Sequence, residues 1–383
     1  MIYLDYNATT PTDPRVLDAM LPYFQARFAN PSSIHRAGHE ARRAVEKARE
    51  KLAHLVVARV DEVYFTSGGT EADNIAVKGV AFAQNKRKKI ITSAIEHHAV
   101  LTTCEYMTKF GFEVVKVPVD PHGIIDLNFL EDAVDDNTVI ISIMHANNEV
   151  GTVEPITEIS KIAHRHGIVF HTDAVQTVGK LPIDIESMGI DMLSLSGHKF
   201  CGPKGTGALI ARTGIRFDPL SHGGHHEHNK RAGTENVPGI VGLGKACEIA
   251  MTEMAEEEKR IRLLRDKLWN GIREKIPDLI LNGHPEKRLA NTLGICVRYV
   301  EGESLLLHLD MHGICASSGS ACTSGSLEPS HVLLAMGIPH ETAHGSIRFS
   351  LGRYTEEAEI LEVIRVFPKI VEKLRVISPL SKK

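Results

Sequence analysis

The feature that most restricts how this chain can fold is an alternation repeated over its first half. Short apolar runs at 62–66, 90–94, 113–117, 139–145, 168–172, 192–196 and 207–211 are separated by segments of helical periodicity at 36–56, 71–83, 127–133 and 156–166. Strands that alternate with helices predict a mainly parallel sheet with helices on both faces, an α/β architecture. The pattern changes near Val237. Two helical stretches are expected there, the second being the charged segment 253–276, and the alternation resumes through 291–297, 304–312, 346–350 and a terminal helix over 356–374. This second part reads as a smaller α+β domain. The expected division is 12–255 for the large domain, with 1–11 and 256–383 forming the small one. A length of 383 residues suits two such units.

Composition narrows the function classes. Apolar residues are 43% and charged residues 24%, as in an ordinary soluble protein that buries a full core. The net charge of −4 gives no reason to expect nucleic acid or an anionic membrane as partner. No run of 18 apolar residues suggests a membrane span, and the first residues lack the basic and apolar segments of a signal peptide, so a cytoplasmic location is expected. Of six cysteines, none forms a CxxC pair. Cys104, Cys201, Cys247, Cys296 and Cys315 are read as reduced and packed, Cys315 as strand core.

Three segments carry chemistry. An apolar strand ends in Ser196-Gly197-His198-Lys199, and residues at the carboxyl ends of parallel strands sit where α/β sheets bind ligands. Only about 0.04% of an ordinary lysine amine is neutral at pH 7. An imine with a cofactor aldehyde removes that limit. The bland alternative is a surface loop lysine. Twenty-six residues upstream, another strand ends in His171-Thr172-Asp173, followed by Gln176. Asp173 suits a protonated ring nitrogen, as pyridoxal phosphate (PLP) requires, and Gln176 suits the ring hydroxyl. Alone, an Asp after a strand is more often a helix N-cap. The third segment, Thr66-Ser67-Gly68-Gly69-Thr70-Glu71, turns from a strand into a helix. A helix N-terminus with nearby glycines favours a phosphate, although a capped tight turn looks the same.

Taken together, these segments resemble a fold-type-I PLP enzyme, and specifically a cysteine desulfurase of the IscS/NifS class, which is class-V aminotransferase-like. The resemblance runs from Tyr3 to Arg353 and includes Glu96-His97-His98-Ala99, Asn147-Asn148-Glu149, Arg231-Ala232-Gly233-Thr234 and the segment around Cys322. It implies that His97, not His98, lies over the cofactor ring and moves protons. Ser196 and His198 are expected to join Gly69 and Thr70 at the phosphate. Thr234 would reach the phosphate of a neighbouring subunit, which implies a homodimer. Asn148 is expected at the substrate carboxylate or the cofactor, and Arg348 at the substrate carboxylate, where bidentate pairing favours arginine. Arg353 is expected to be a structural ion-pair partner.

Cys322 stands apart from the other cysteines. It lies in Ala316-Ser317-Ser318-Gly319-Ser320-Ala321-Cys322-Thr323-Ser324-Gly325-Ser326, a run with almost nothing to bury, which predicts a mobile loop and an exposed thiol. About 3% of an ordinary thiol is ionised at pH 7, and that thiolate is strongly nucleophilic. The expected reaction takes sulfur from L-cysteine onto Cys322 as a persulfide, with Lys199 as base, and releases alanine. By resemblance, the sulfur then passes to an iron–sulfur scaffold, to tRNA thiolation or to another carrier. Whether Cys322 also ligates a cluster transiently stays open. His222, His225, His226 and His228 cluster in sequence, but their spacing matches no closed zinc pattern, and no metal site is expected there. A selenocysteine lyase or an aminotransferase on the same fold are the alternative enzymes. A cofactor-free scaffold for iron–sulfur assembly is the non-enzymatic alternative, and Lys199, Asp173 and Cys322 argue against it.

Overall fold

The structure, a computed structural model, describes residues 1–84, 86–318 and 329–378. Its twelve strands are β1 (Ile2–Tyr3), β2 (Val63–Thr66), β3 (Lys89–Ser93), β4 (Glu113–Val117), β5 (Thr138–Ser142), β6 (Val169–Asp173), β7 (Met192–Ser196), β8 (Gly207–Ala211), β9 (Leu279–Asn282), β10 (Thr292–Val297), β11 (Ile314–Cys315) and β12 (Ser346–Ser350) among the described residues. Seven of them form one sheet in the order β2-β8-β7-β6-β5-β3-β4. The pairs from β7 through β4 are parallel, while β8 runs antiparallel to both β7 and β2. All five residues of β5, β7 and β8 are buried, as expected of strands covered on both faces. The predicted mainly parallel sheet is therefore present, with the edge at β2-β8 reversed.

The helix Arg36–Leu55 shows why these segments fold as they do. Ala41, Val45, Ala48 and Leu52 recur at helical spacing and are buried. They pack on the helix Val237–Arg273, where Gly244 comes so close that an added Cβ would lie 2.7 Å from the Ala48 Cα. This second helix corrects the sequence reading. The two helical stretches expected after Val237 are one helix of 37 residues. Its first half is small and apolar because it is buried against the large sheet's core, which includes Leu243, Cys247 and Ala250. Its second half turns a narrow stripe, Ile261, Leu264, Leu268 and Ile272, toward a different core. The change of composition marks a change of neighbours, not a break in the helix.

That second core joins β9, β10 and β12, paired antiparallel in the order β12-β10-β9, to the helix Glu357–Ile377. The N-terminal segment belongs to it as well. β1 pairs in parallel with β11, and Leu4 is fully buried in the same cluster. From there residues 5–10 cross to the large sheet, where the Thr10 amide donates to the His198 carbonyl at 2.9 Å. Strand β9 and the short helix Pro14–Met20 had no counterpart in the sequence reading. Both are too short for periodicity to reveal.

Candidate active site

The parallel strands deliver their last residues to one cavity of about 280 Å³. Asp173 closes β6 and Ser196 closes β7, and a single 3-10 turn, Gly197–Lys199, follows. Lys199 donates from Nζ to the carbonyls of Asn7 at 2.6 Å and Ala8 at 2.9 Å. Asp173 is buried, and its Oδ1 accepts the Val175 amide at 2.8 Å. Burial raises its pKa, while the Val175 amide and then the Lys199 charge pull it down. Gln176 lines the same cavity and donates from Nε2 to the Asn7 carbonyl at 3.0 Å.

Opposite these groups the helix Gly69–Ala83 begins at Gly68 with no side chain capping it. Its first residues, Gly69 and Thr70, line the cavity with Ser196 and His198. His198 is held by Thr9, whose hydroxyl lies 3.1 Å from Nδ1. Burial, then the charges of Lys199, Lys204 and Lys180, lower its pKa to about 4. An uncapped helix terminus flanked by a hydroxyl and an imidazole is a donor set suited to a phosphate dianion. A carboxylate enclosed at the other end suits a protonated ring nitrogen. With Lys199 lining the same cavity, the residues present fit pyridoxal phosphate.

His97 precedes the helix His98–Met107 and caps it, its Nδ1 accepting the Ala99 amide at 3.1 Å. With Nδ1 an acceptor, the proton of the neutral ring sits on Nε2. Burial first, then Lys199, His98 and His331, lower the pKa of His97 to about 4, so the ring is neutral at pH 7. His98 turns instead toward His331, the two ring centroids lying 4.9 Å apart.

Arg348, from β12, brings the small domain to the cavity. Its guanidinium is paired with Asp5 at 2.8 Å and with the Asn148 carbonyl at 2.9 Å, and its buried Nε has no partner among the described residues. Asn148 lines the cavity too. Arg353 does not line it and is tied into ion pairs with Asp13 at 3.1 Å and Glu257 at 2.6 Å. Thr234 is exposed and outside the cavity of its own chain. Cys322 lies outside the described residues. Cys104, Cys201, Cys247 and Cys296 are buried, whereas Cys315 is only partly so, because β11 is a two-residue edge strand.

The four clustered histidines go separate ways. His225 lies 2.6 Å from Asn229, His226 accepts the Gly233 amide at 3.3 Å, and His228 meets the Tyr64 ring edge-on. Among the described residues, no group of three or more His, Cys, Asp or Glu side chains is set to hold a metal ion.

Asn7 is the residue that sequence reasoning missed. It is buried, and its side-chain amide donates to the Asn148 carbonyl at 3.0 Å and to the Thr292 hydroxyl at 2.8 Å, while Asn291 donates to its Oδ1 at 2.8 Å. Its own carbonyl serves Lys199 and Gln176. One residue thus ties both domains to the lysine. A lone polar Asn between an apolar strand and the Ala8-Thr9-Thr10-Pro11 turn was the available signal.

Residues 2–363 match the family model for class-V aminotransferases. The chain belongs to this family. Its sequence is 55% identical to a cysteine desulfurase IscS of Dictyoglomus turgidum, over 99% of this chain and 96% of the relative. It is also 55% identical to a cysteine desulfurase IscS of Methanosarcina thermophila, over 100% of this chain and 95% of the relative. Among solved structures, a NifS-like protein superposes with a TM-score of 0.92 at 40% identity, covering 97% of this chain and all of that one. A structure of SspA in complex with cysteine superposes with a TM-score of 0.82 at 37% identity, covering 93% of this chain and 100% of the other.

Proposed function

We propose that this chain is a PLP-dependent cysteine desulfurase, converting L-cysteine to L-alanine and receiving the sulfur on Cys322 as a persulfide. The observation that carries this reading is the shared cavity: a lysine, a buried carboxylate and an uncapped helix terminus face one space, and an arginine from the second domain closes it. The names of its relatives at 55% identity support the choice of substrate. Bound there, PLP supplies an electron sink for the electrons released at the substrate's Cα.

The chain's own residues do the rest. The amides at Gly69 and Thr70, with Ser196 and His198, hold the phosphate, and Thr234 of a second copy joins them in a homodimer. Asp173 keeps the ring nitrogen protonated, and Gln176 donates to the ring oxygen. Lys199 would hold the cofactor, and its free amine would take the α-proton and give it back as alanine forms. When Lys199 is protonated, the Asn7 and Ala8 carbonyls stabilise its charge. His97, neutral and protonated on Nε2, lines the cavity and would offer a proton to the bound cofactor or substrate. Arg348 and Asn148 orient the substrate carboxylate. Cys322 attacks the substrate sulfur as a thiolate. The S–S bond forms as the C–S bond breaks, and its electron pair stays on the substrate carbon, which is protonated to alanine. The persulfide then passes to an acceptor of cytoplasmic iron–sulfur assembly or another sulfur pathway.

Lys199→Ala is expected to lose the covalently held, yellow cofactor and all turnover. Cys322→Ala is expected to keep the colour and to lose sulfur transfer by on the order of 10³-fold or more, as for removal of a catalytic nucleophile. A Cys322→Ala protein that transfers sulfur at the unmodified rate contradicts the assignment.

A further inference from the structure

Gln176 has a neighbour that none of the sequence motifs contains. Lys180, one turn further on, donates from Nζ to the Gln176 Oε1 at 3.1 Å. A charged lysine has donors only, so while Lys180 is protonated the amide presents its oxygen to Lys180 and its nitrogen elsewhere. Nε2 goes to the Asn7 carbonyl at 3.0 Å, the same acceptor that takes Lys199 Nζ at 2.6 Å. Four groups are thereby linked in order: Lys180, Gln176, the Asn7 carbonyl and Lys199. Nε2 carries a second hydrogen, and Gln176 faces the cofactor cavity. Lys180 itself stands in the wall between that cavity and a second one, which it lines together with Lys199, Cys201, Glu257 and Arg353. The accessible surface it retains belongs to this second space, while its ammonium is enclosed.

We propose that Lys180 is a positioning residue for the cofactor: it locks the Gln176 amide so that an N–H, and not the carbonyl oxygen, is offered to the ring oxygen of PLP, and its charge acts on the nitrogen attached at Lys199. The inference rests on the PLP reading given above. Without Lys180 the amide can turn over, and its oxygen then faces the electron-rich ring oxygen and repels it. Both effects of Lys180 act in one direction. A donor on the ring oxygen weakens that oxygen's hold on a proton at the Lys199 nitrogen, and a nearby cation disfavours a second positive charge there. Burial, and next the Lys199 charge, lower the pKa of Lys180 to about 7, so its charge is present through the acid side of neutrality. Cys201 and Glu257 oppose this shift and Arg348 adds to it, and His198 also feels the Lys180 charge.

The test uses the full-length protein with PLP bound. The visible absorption of the cofactor is titrated against pH in the unmodified protein, Lys180→Met and Lys180→Arg, and borohydride reduction followed by peptide mass locates the cofactor. Lys180→Met is expected to hold PLP on Lys199 with its spectral midpoint raised by on the order of one pH unit. Lys180→Arg, which keeps donor and charge, is expected to return most of the way. An unshifted midpoint in Lys180→Met, with PLP on Lys199, overturns the inference alone. Should Lys180→Met fail to accumulate as folded protein, Lys180→Gln carries the same test through loss of charge, and an unshifted midpoint there has the same meaning. An unmodified protein with neither visible band nor adduct at Lys199 overturns the PLP reading and this inference with it.

Discussion

At the scale of single residues, the site depends on charges placed where water cannot screen them. Arg348 is buried and held by Asp5 and the Asn148 carbonyl, so its guanidinium is fixed at the edge of the cavity. Arg348→Gln is expected to retain the cofactor's colour and to raise KM for L-cysteine. Loss of one partner from a buried charged pair costs about 2–5 kcal/mol, on the order of 10²-fold or more in KM. Steady-state kinetics in L-cysteine check this. Glu96 gives a pH-dependent prediction. Its Oε1 accepts from the Ser93 hydroxyl and the Met144 amide, its Oε2 is buried without a partner, and burial raises its pKa to about 8. The folded state thus keeps a proton that the unfolded chain loses above about 4.3. Its contribution to stability is present at low pH and is lost as pH rises through 8. Glu96→Gln, neutral at every pH, should gain in thermal midpoint relative to the unmodified protein between pH 4.5 and 8, as thermal unfolding across that range would show. An offset that does not change with pH contradicts the account. Lys199 and Asp173 were singled out in the sequence because each lies at the end of an apolar strand, and His97 through the resemblance; all three line the one cavity. Asn7 and Lys180 were not singled out, because their importance lies in hydrogen bonds to residues far away in sequence or in a turn that periodicity does not describe.

At the scale of elements, the loop that carries Thr234 is pinned by ion pairs to the framework of the site. Glu227, buried, pairs with Arg49 at 2.8 Å and accepts the Phe65 amide at 2.8 Å, so it binds the loop to β2, which leads into the turn at Gly68 and Gly69. Arg231 pairs with Glu71 at 2.9 Å, one residue from Thr70. The hold on Glu227 must be firm, because Glu227, His228 and Asn229 all have left-handed backbone, at φ of 44°, 52° and 66°. Glu227→Ala takes from the buried Arg49 guanidinium its two-oxygen partner and leaves it the Glu46 carboxylate at 3.1 Å and the Val63 carbonyl at 2.6 Å, which should cost about 1–3 kcal/mol. Arg49→Met combined with Glu227→Leu should recover a large part of that loss in a denaturant titration. Most elements were legible: the seven strands of the large sheet were expected within a few residues of where they lie, since each is a short run rich in apolar residues, although β4 at the edge is buried only at Val117. The helix Val237–Arg273 was read as two because its composition changes where it leaves one core for the other. Charge patterning describes which surface a helix faces, and only indirectly whether it continues.

At the scale of the whole molecule, two cores meet along the segment 5–10, the helix Val237–Arg273 and the arginine of β12, and the site sits at that seam. A division of the chain near residue 255 is the proposal this packing suggests, inside the connecting helix and between the Ala250 and Ile261 contacts. No helix among the described residues is long and apolar enough to cross a membrane. A homodimer that completes each phosphate site with Thr234 should sediment at twice 42.1 kDa, and Thr234→Val should weaken PLP retention while leaving the monomer folded. Equilibrium sedimentation and the cofactor content after dialysis test both points. The desulfurase reading itself is tested most directly by mass spectrometry of the PLP-loaded protein after brief exposure to L-cysteine and thiol labelling. The account predicts an added sulfur atom on Cys322 and one alanine released for each sulfur bound. Unmodified Cys322 and no alanine, with PLP still attached to Lys199, would contradict it.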